Sequence, residues 1–185
     1  CASDSFFTSV KVNDKPQASF AYSGKLCEDS SIIFTPTITA NGNTIQNAVW
    51  FFGDGQQQTV NNTDAISHAY NNPANNIPVK FIVSGGQGCE SDTARQTIAA
   101  INQNPDATFA ISASSFCPQK NIVFTYTGSS TIQNWKWDLG NSASLSASPV
   151  SNQYNTGGNY TTSLVVTDNN GCGSLPHTEP LTVYN

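Results

Sequence analysis

Apolar and polar residues take turns along most of this chain. In the stretch from Ala18 to Ser23, Ala18, Phe20 and Tyr22 face one way and Ser19, Ala21 and Ser23 the other. Val79, Phe81 and Val83 share a face, as do Tyr160, Thr162, Leu164 and Val166. Trp135, Trp137 and Leu139 lie opposite Lys136 and Asp138, and Ala48, Trp50 and Phe52 opposite Val49 and Phe51. A period of two over short runs predicts half-buried β-strands. Nowhere do apolar residues recur at i, i+3, i+4 and i+7 for three turns, so no helix is expected. Clusters of Asn, Gly and Pro about every ten residues break the runs, which points to an all-β sandwich.

The runs come twice. PQASFAYS from Pro16 returns as PDATFAIS from Pro105, SIIFTPT from Ser31 as NIVFTYT from Asn121, and IQNAVWFFGDG from Ile45 as IQNWKWDLGNS from Ile132. HAYNN from His68 matches NQYNT from Asn152, and GGQGCESD from Gly85 matches DNNGCGSL from Asp168. The spacing falls from 89 between Phe20 and Phe109 to 83 between Cys89 and Cys172, a drift that loop insertions and deletions explain. Two domains are therefore expected over 15–102 and 103–185, after a segment, 1–14, that reads as the last strand of a preceding repeat. The linkers NDKP and NQNP are short, and the residue before each Pro is held extended, so neighbouring domains should form a semi-rigid rod.

Each repeat holds one early and one late cysteine, Cys27 with Cys89 and Cys117 with Cys172. Four cysteines allow three pairings. Only Cys27–Cys89 with Cys117–Cys172 keeps each bond inside its repeat, and loops of this size would stabilise a domain by roughly 4 kcal/mol each. Cys1 aligns with the late Cys89; an early partner further upstream and a lipid anchor on Cys1 are the two readings of it. Disulfides imply an oxidising compartment, and no cysteine or histidine spacing suits zinc.

Composition narrows the function. Only 10% of residues are charged and the net charge is −5, with 7 Lys and Arg in all. Nucleic acid, which requires clustered cations, is excluded as a partner, and no apolar run is long enough for a membrane helix. The chain has no Met, and it reads as an excised piece of something longer.

Gly53-Asp54-Gly55 ends one strand and precedes another. Glycine supplies positive φ and Asp accepts hydrogen bonds from backbone N–H groups two residues on. Its counterparts are Gly140, Asn141 and Ser142, and an Asn preserves turn bonding while a catalytic carboxylate would not survive the exchange. His68 is expected to hydrogen-bond the neighbouring hairpin, and His177 shows no partner. No nucleophile elbow occurs, so no catalytic residue is assigned.

VWFFGDG, followed by SHAYNN and GGQGC, resembles the PKD (polycystic kidney disease-type) domain, an immunoglobulin-like β-sandwich with a W-x-F-G-D-G hairpin and an H-x-Y segment. Trp50, Phe52, Gly53, Asp54, Gly55, His68 and Tyr70 carry the match in the first repeat, and Trp137, Leu139, Gly140 and Tyr154 in the second, which departs from it at Leu139, Asn141, Ser142 and Asn152. The resemblance implies tandem PKD domains in a large cell-surface or secreted protein of the Bacteroidota type, exported by the type IX route and used in adhesion or gliding. It leaves calcium open as a ligand without assigning a metal site.

The expected function is non-enzymatic: an extracellular spacer or stalk with adhesive or protein-interaction surfaces, whose partners are neighbouring repeats and a protein or glycan ligand. The alternative is a carbohydrate-binding accessory module of a polysaccharide-degrading enzyme, resting on Phe51 and Trp135 as sugar-stacking platforms if they face solvent; otherwise Phe51 contacts a second sheet or domain. Asn61 and Asn159 head N-x-T sequons, and DTA at Asp92 would place a glycan on Thr93.

Overall fold

The computed structural model describes residues 7–9, 11–61 and 63–184. Among them are fifteen strands and one short 3-10 turn. The all-β expectation holds, and the alternation explains why: residues marked by sequence parity as inward are the buried ones. Val79, Phe81 and Val83 are each wholly buried, as are Trp50, Trp137 and Leu139, while Lys136 and Asp138 are exposed.

In chain order the first seven strands are β1 (Gln17–Ser23), β2 (Ser31–Thr39), β3 (Ile45–Phe51), β4 (Gln57–Val60), β5 (Ile66–Ala69), β6 (Ala74–Gly85) and β7 (Ala94–Ile101). They make a sheet β1-β2-β5 and a sheet β4-β3-β6-β7. Every pairing with a recorded register is antiparallel, for example Phe20 opposite Pro36 and Trp50 opposite Phe81. Between the sheets, Phe20 of β1 meets the Trp50 ring edge-on at 5.1 Å, and Trp50 stacks on Phe81 at 4.1 Å. Rings of this size dominate the burial that holds so small a core together.

The remaining strands are β8 (Phe109–Ile111), β9 (Ser115–Phe116), β10 (Asn121–Tyr126), β11 (Ile132–Asp138), β12 (Ser144–Leu145), β13 (Val150–Gln153), β14 (Gly158–Asp168) and β15 (His177–Val183). Sheets β13-β10-β8 and β12-β11-β14-β15-β9 enclose a core built on Phe109, Phe124, Trp137, Leu164 and Leu181. The second sandwich repeats the first closely. Both central strands slip register by one residue, between Ile45 and Asn47 and between Ile132 and Asn134, a bulge that bends the strand. In the second sheet β9 runs parallel to β15, with Ser115 opposite Thr182 and Phe116 opposite Val183.

The chain divides into two compact units, but not at one cut. Unit 1 comprises residues 1–24, 31–70 and 74–100; unit 2 takes 25–30, 71–73 and 101–185. The first sequence repeat, 15–102, thus yields residues 25–30, 71–73 and 101–102 to the unit that holds 103–185. Cys1 and half of the segment expected as a strand over 1–14 lie outside the described residues, and residues 11–16 form no strand.

The cysteines pair differently from the expectation. One disulfide joins Cys27 to Cys172, and Cys89 and Cys117 are free thiols. The expected Cys27–Cys89 and Cys117–Cys172 bonds are absent because the segment holding Cys27 belongs to unit 2. Leu26 accepts from the Asn102 backbone N–H at 2.8 Å, Glu28 N–H donates to Asn102 O at 2.9 Å, and the Asn102 side chain also reaches Leu26 O at 3.0 Å. Asn104 N–H adds a bond to Glu28 Oε1 at 2.9 Å. These bonds carry the Cα of Cys27 to 5.6 Å from that of Cys172, within bridging range.

Candidate functional site

The Gly53–Gly55 hairpin joins β3 to β4, and its geometry follows from its residues. Gly53 has φ 84°, and a Cβ there would sit 2.7 Å from Pro78 O and 2.8 Å from Ile77 Cγ2, so glycine is required. Phe52 N–H donates to Gln56 O at 3.1 Å, closing the turn. Gln56 N–H donates to Asp54 Oδ1 at 3.0 Å, the two-residue bond of an Asx turn. Asp54 Oδ2 lies 2.8 Å from His68 Nε2 on β5. Tyr70 donates its hydroxyl proton to Phe52 O at 2.8 Å, tying the end of β5 to the hairpin.

The His68 ring stacks on Phe52 at 3.8 Å and meets Tyr70 edge-on at 4.7 Å. Its side chain is only 9% exposed, that of Asp54 24%. Burial works to raise the Asp54 pKa, but the Gln56 N–H and the His68 ring outweigh it and hold the carboxyl below its ordinary value. Burial, with the Asp54 charge, pushes the Tyr70 hydroxyl far above the usual phenol range. An aspartate–histidine pair is the skeleton of an acid/base dyad, yet here the imidazole lies flat against Phe52 and Asp54 is spent on its turn. A cleft of about 230 Å³ beside the hairpin, between Phe51, Gly53, Gln56, Pro78 and Lys80, is lined by neither residue. The arrangement clamps a hairpin.

In the second repeat Tyr154 donates to Leu139 O at 2.8 Å, as Tyr70 does to Phe52, and Leu139 N–H donates to Ala143 O at 3.1 Å. Gly140 keeps its positive φ of 75° and would place a Cβ 2.6 Å from Thr161 O. Burial raises the Tyr154 pKa as well. Asn141 Oδ1 accepts from Ala143 N–H at 3.4 Å, and the buried Asn152 Nδ2 is without a hydrogen bond. Trp137 donates its indole proton to Ala147 O at 2.7 Å, while the Trp50 indole nitrogen is buried and unpaired.

The other predicted sites are scattered. His177 Nε2 lies 3.2 Å from Glu179 Oε1, a partner two residues along the same face of β15 that the period of two could have disclosed. Phe51 and Trp135 are half-buried; the Trp135 indole nitrogen is fully covered, and Phe51 borders the cleft beside the hairpin. Asn61 and Asn159 are exposed; Thr93 is half-buried. Among the described residues no three His, Cys, Asp or Glu side chains converge.

The PKD domain family model matches residues 13–100 and again 102–183. No curated protein matches the chain in sequence. Among solved structures, the PKD1 domain of the Vibrio cholerae metalloprotease PrtV is 24% identical, covering 44% of this chain and 99% of its own, with a TM-score of 0.39. A structure described under the promiscuous specificity of carbohydrate-binding modules of the β-sandwich superfamily is 17% identical, covers 94% of this chain and 86% of its own, and has a TM-score of 0.47. Clostridium thermocellum CbhA fibronectin(III)-like modules are 13% identical, over 83% of this chain and 85% of their own, with a TM-score of 0.39. The two matched regions span nearly the whole sequence with one residue between them, and the chain belongs to the PKD domain family.

Proposed function

We propose that this chain is a non-enzymatic, extracellular spacer: tandem PKD sandwiches that carry tension and hold interaction surfaces of a larger cell-surface protein away from the cell. The observation that carries the reading is the Cys27–Cys172 bond, which spans 145 positions and so closes nearly two whole repeats within one covalent loop. A pull on the ends passes through the sulfur bridge and bypasses the residues inside the loop. Roughly 500 Å of extended chain is thereby withheld. A disulfide in this position also suits an oxidising, extracellular location.

Single-molecule extension of the chain tests this. The oxidised protein should show no domain-sized step, and the reduced protein two. Domain-sized steps in the oxidised protein would overturn the reading. Retention on insoluble chitin or cellulose would replace it with the carbohydrate-binding alternative.

A further inference from the structure

We propose that Cys89 and Cys117 are the two open halves of a repeat-to-repeat staple: Cys117 pairs with the Cys89-type cysteine of another copy of this repeat, and Cys89 with a Cys117-type one. The bond already formed in unit 2 is the pattern. There an early cysteine, Cys27, is delivered by its own short segment to the hairpin that holds a late cysteine, Cys172.

Unit 1 reproduces the receiving half. Around Cys172, Asp168 N–H donates to Cys172 O at 3.0 Å, Ser174 N–H to Val166 O at 2.9 Å, and Val166 N–H to Ser174 Oγ at 2.9 Å. Around Cys89 the same three bonds run from Gly85 to Cys89 at 2.7 Å, from Ser91 to Val83 at 2.8 Å, and from Val83 to Ser91 Oγ at 3.0 Å. What differs is the guest. In unit 2 the Leu26–Glu28 backbone occupies Asn102, whereas Asn13, the counterpart of Asn102 in NDKP and NQNP, borders an open cleft of about 400 Å³ with Val12, Thr44, Gly86 and Cys89. Val12 is 86% exposed where its counterpart Ile101 is 2% exposed.

The delivering half is present in unit 2. Tyr184 N–H donates to Phe116 O at 2.9 Å, as Asn102 N–H does to Leu26 O at 2.8 Å, so the residue before each early cysteine is pinned to the chain as it leaves its own repeat. Cys117 is held in that pose but exposed, whereas Cys27 is 1% exposed. Each thiol therefore sits in the backbone setting of a bonded counterpart, short only of the complementary copy. Closing the bond removes two protons and two electrons from the thiols. A disulfide oxidant such as oxidised glutathione takes both and becomes two thiols.

This inference rests on the tandem reading but not on its mechanical role, which depends on Cys27–Cys172 alone. The test uses the chain with Cys1→Ser, concentrated in a glutathione redox buffer that leaves Cys27–Cys172 intact, then alkylated and mapped by non-reducing electrophoresis and peptide mass spectrometry. Multimers joined from Cys117 of one copy to Cys89 of the next are expected. Cys89→Ser and Cys117→Ser should each remain monomeric, and their mixture should stop at a dimer. Both residues are unbonded in the fold, so neither variant should disturb it. A monomer with both thiols alkylated, or Cys89–Cys89 and Cys117–Cys117 links as abundant as the mixed one, would overturn the proposal.

Discussion

The hairpins of the two repeats reach the same backbone shape by different chemistry. In both, a tyrosine hydroxyl bonds the carbonyl of the last aromatic or aliphatic core residue, Phe52 or Leu139, and a glycine with positive φ packs against a neighbouring strand's carbonyl. Only the first adds the Asp54–His68 pair; the second has Asn141 on the turn and Asn152 in place of His68. In turn, the second satisfies its core tryptophan through Ala147, and the first leaves Trp50 unpaired. The tyrosine and glycine are thus what the fold demands of this corner. The charged pair is a local reinforcement, which is why it can be lost.

Four sets of substitutions test how the two repeats differ. The largest concerns the bond outside the hairpins: Cys27→Ala and Cys172→Ala should each destabilise unit 2 by about 5 kcal/mol, while Cys89→Ala and Cys117→Ala leave the melting of the isolated chain nearly unchanged. Equal losses for Cys27→Ala and Cys89→Ala in calorimetry would restore the within-repeat pairing. Next, Gly53→Ala and Gly140→Ala should each cost about 2–3 kcal/mol, from positive φ and backbone collision together, as read by denaturant unfolding. Gly55→Ala, where a Cβ meets nothing, should cost about 1.

The third change is electrostatic. The Asp54 pKa is lowered in the fold, so its stabilisation is complete above the unfolded carboxylate value and disappears as pH falls through the folded one. Asp54→Ala should lower the melting temperature of unit 1 near pH ~7 and converge with the parent protein near pH ~2. Asp54→Asn, the residue type of the second repeat, should lose less. Smallest, Ser142 holds φ 68° where the first repeat has Gly55, and Ser142→Gly should raise the stability of unit 2 by about 1 kcal/mol in the same melts.

Much of this was legible in the residues. Strand faces follow from side-chain direction, which a period of two reports without reference to anything distant, so Trp50, Phe81, Trp137 and Leu164 were placed correctly. The turn at Asp54 was legible because Gly-Asp-Gly bonding is local. The sulfur pairing was not, because it depends on which unit claims Lys25–Ser30, a choice made by backbone bonds to Asn102 and Asn104 some 76 positions away. Pairing early with late cysteines kept each bond inside its repeat, but nothing physical requires that. The burial of Phe51 and Trp135 was equally non-local, since parity gives a side chain's direction but not what covers it.

The allegiance of Cys27 to unit 2 also orders events during synthesis. Cys89 is made long before Cys172, so an oxidase acting on the growing chain meets Cys27 and Cys89 together with the proper partner still missing. Closing the first repeat early would draw Cys89 into its own hairpin and keep that thiol from the wrong mate. A lesion that delays the folding of unit 1 should therefore show itself as mispaired sulfur, well before it shows as lost stability.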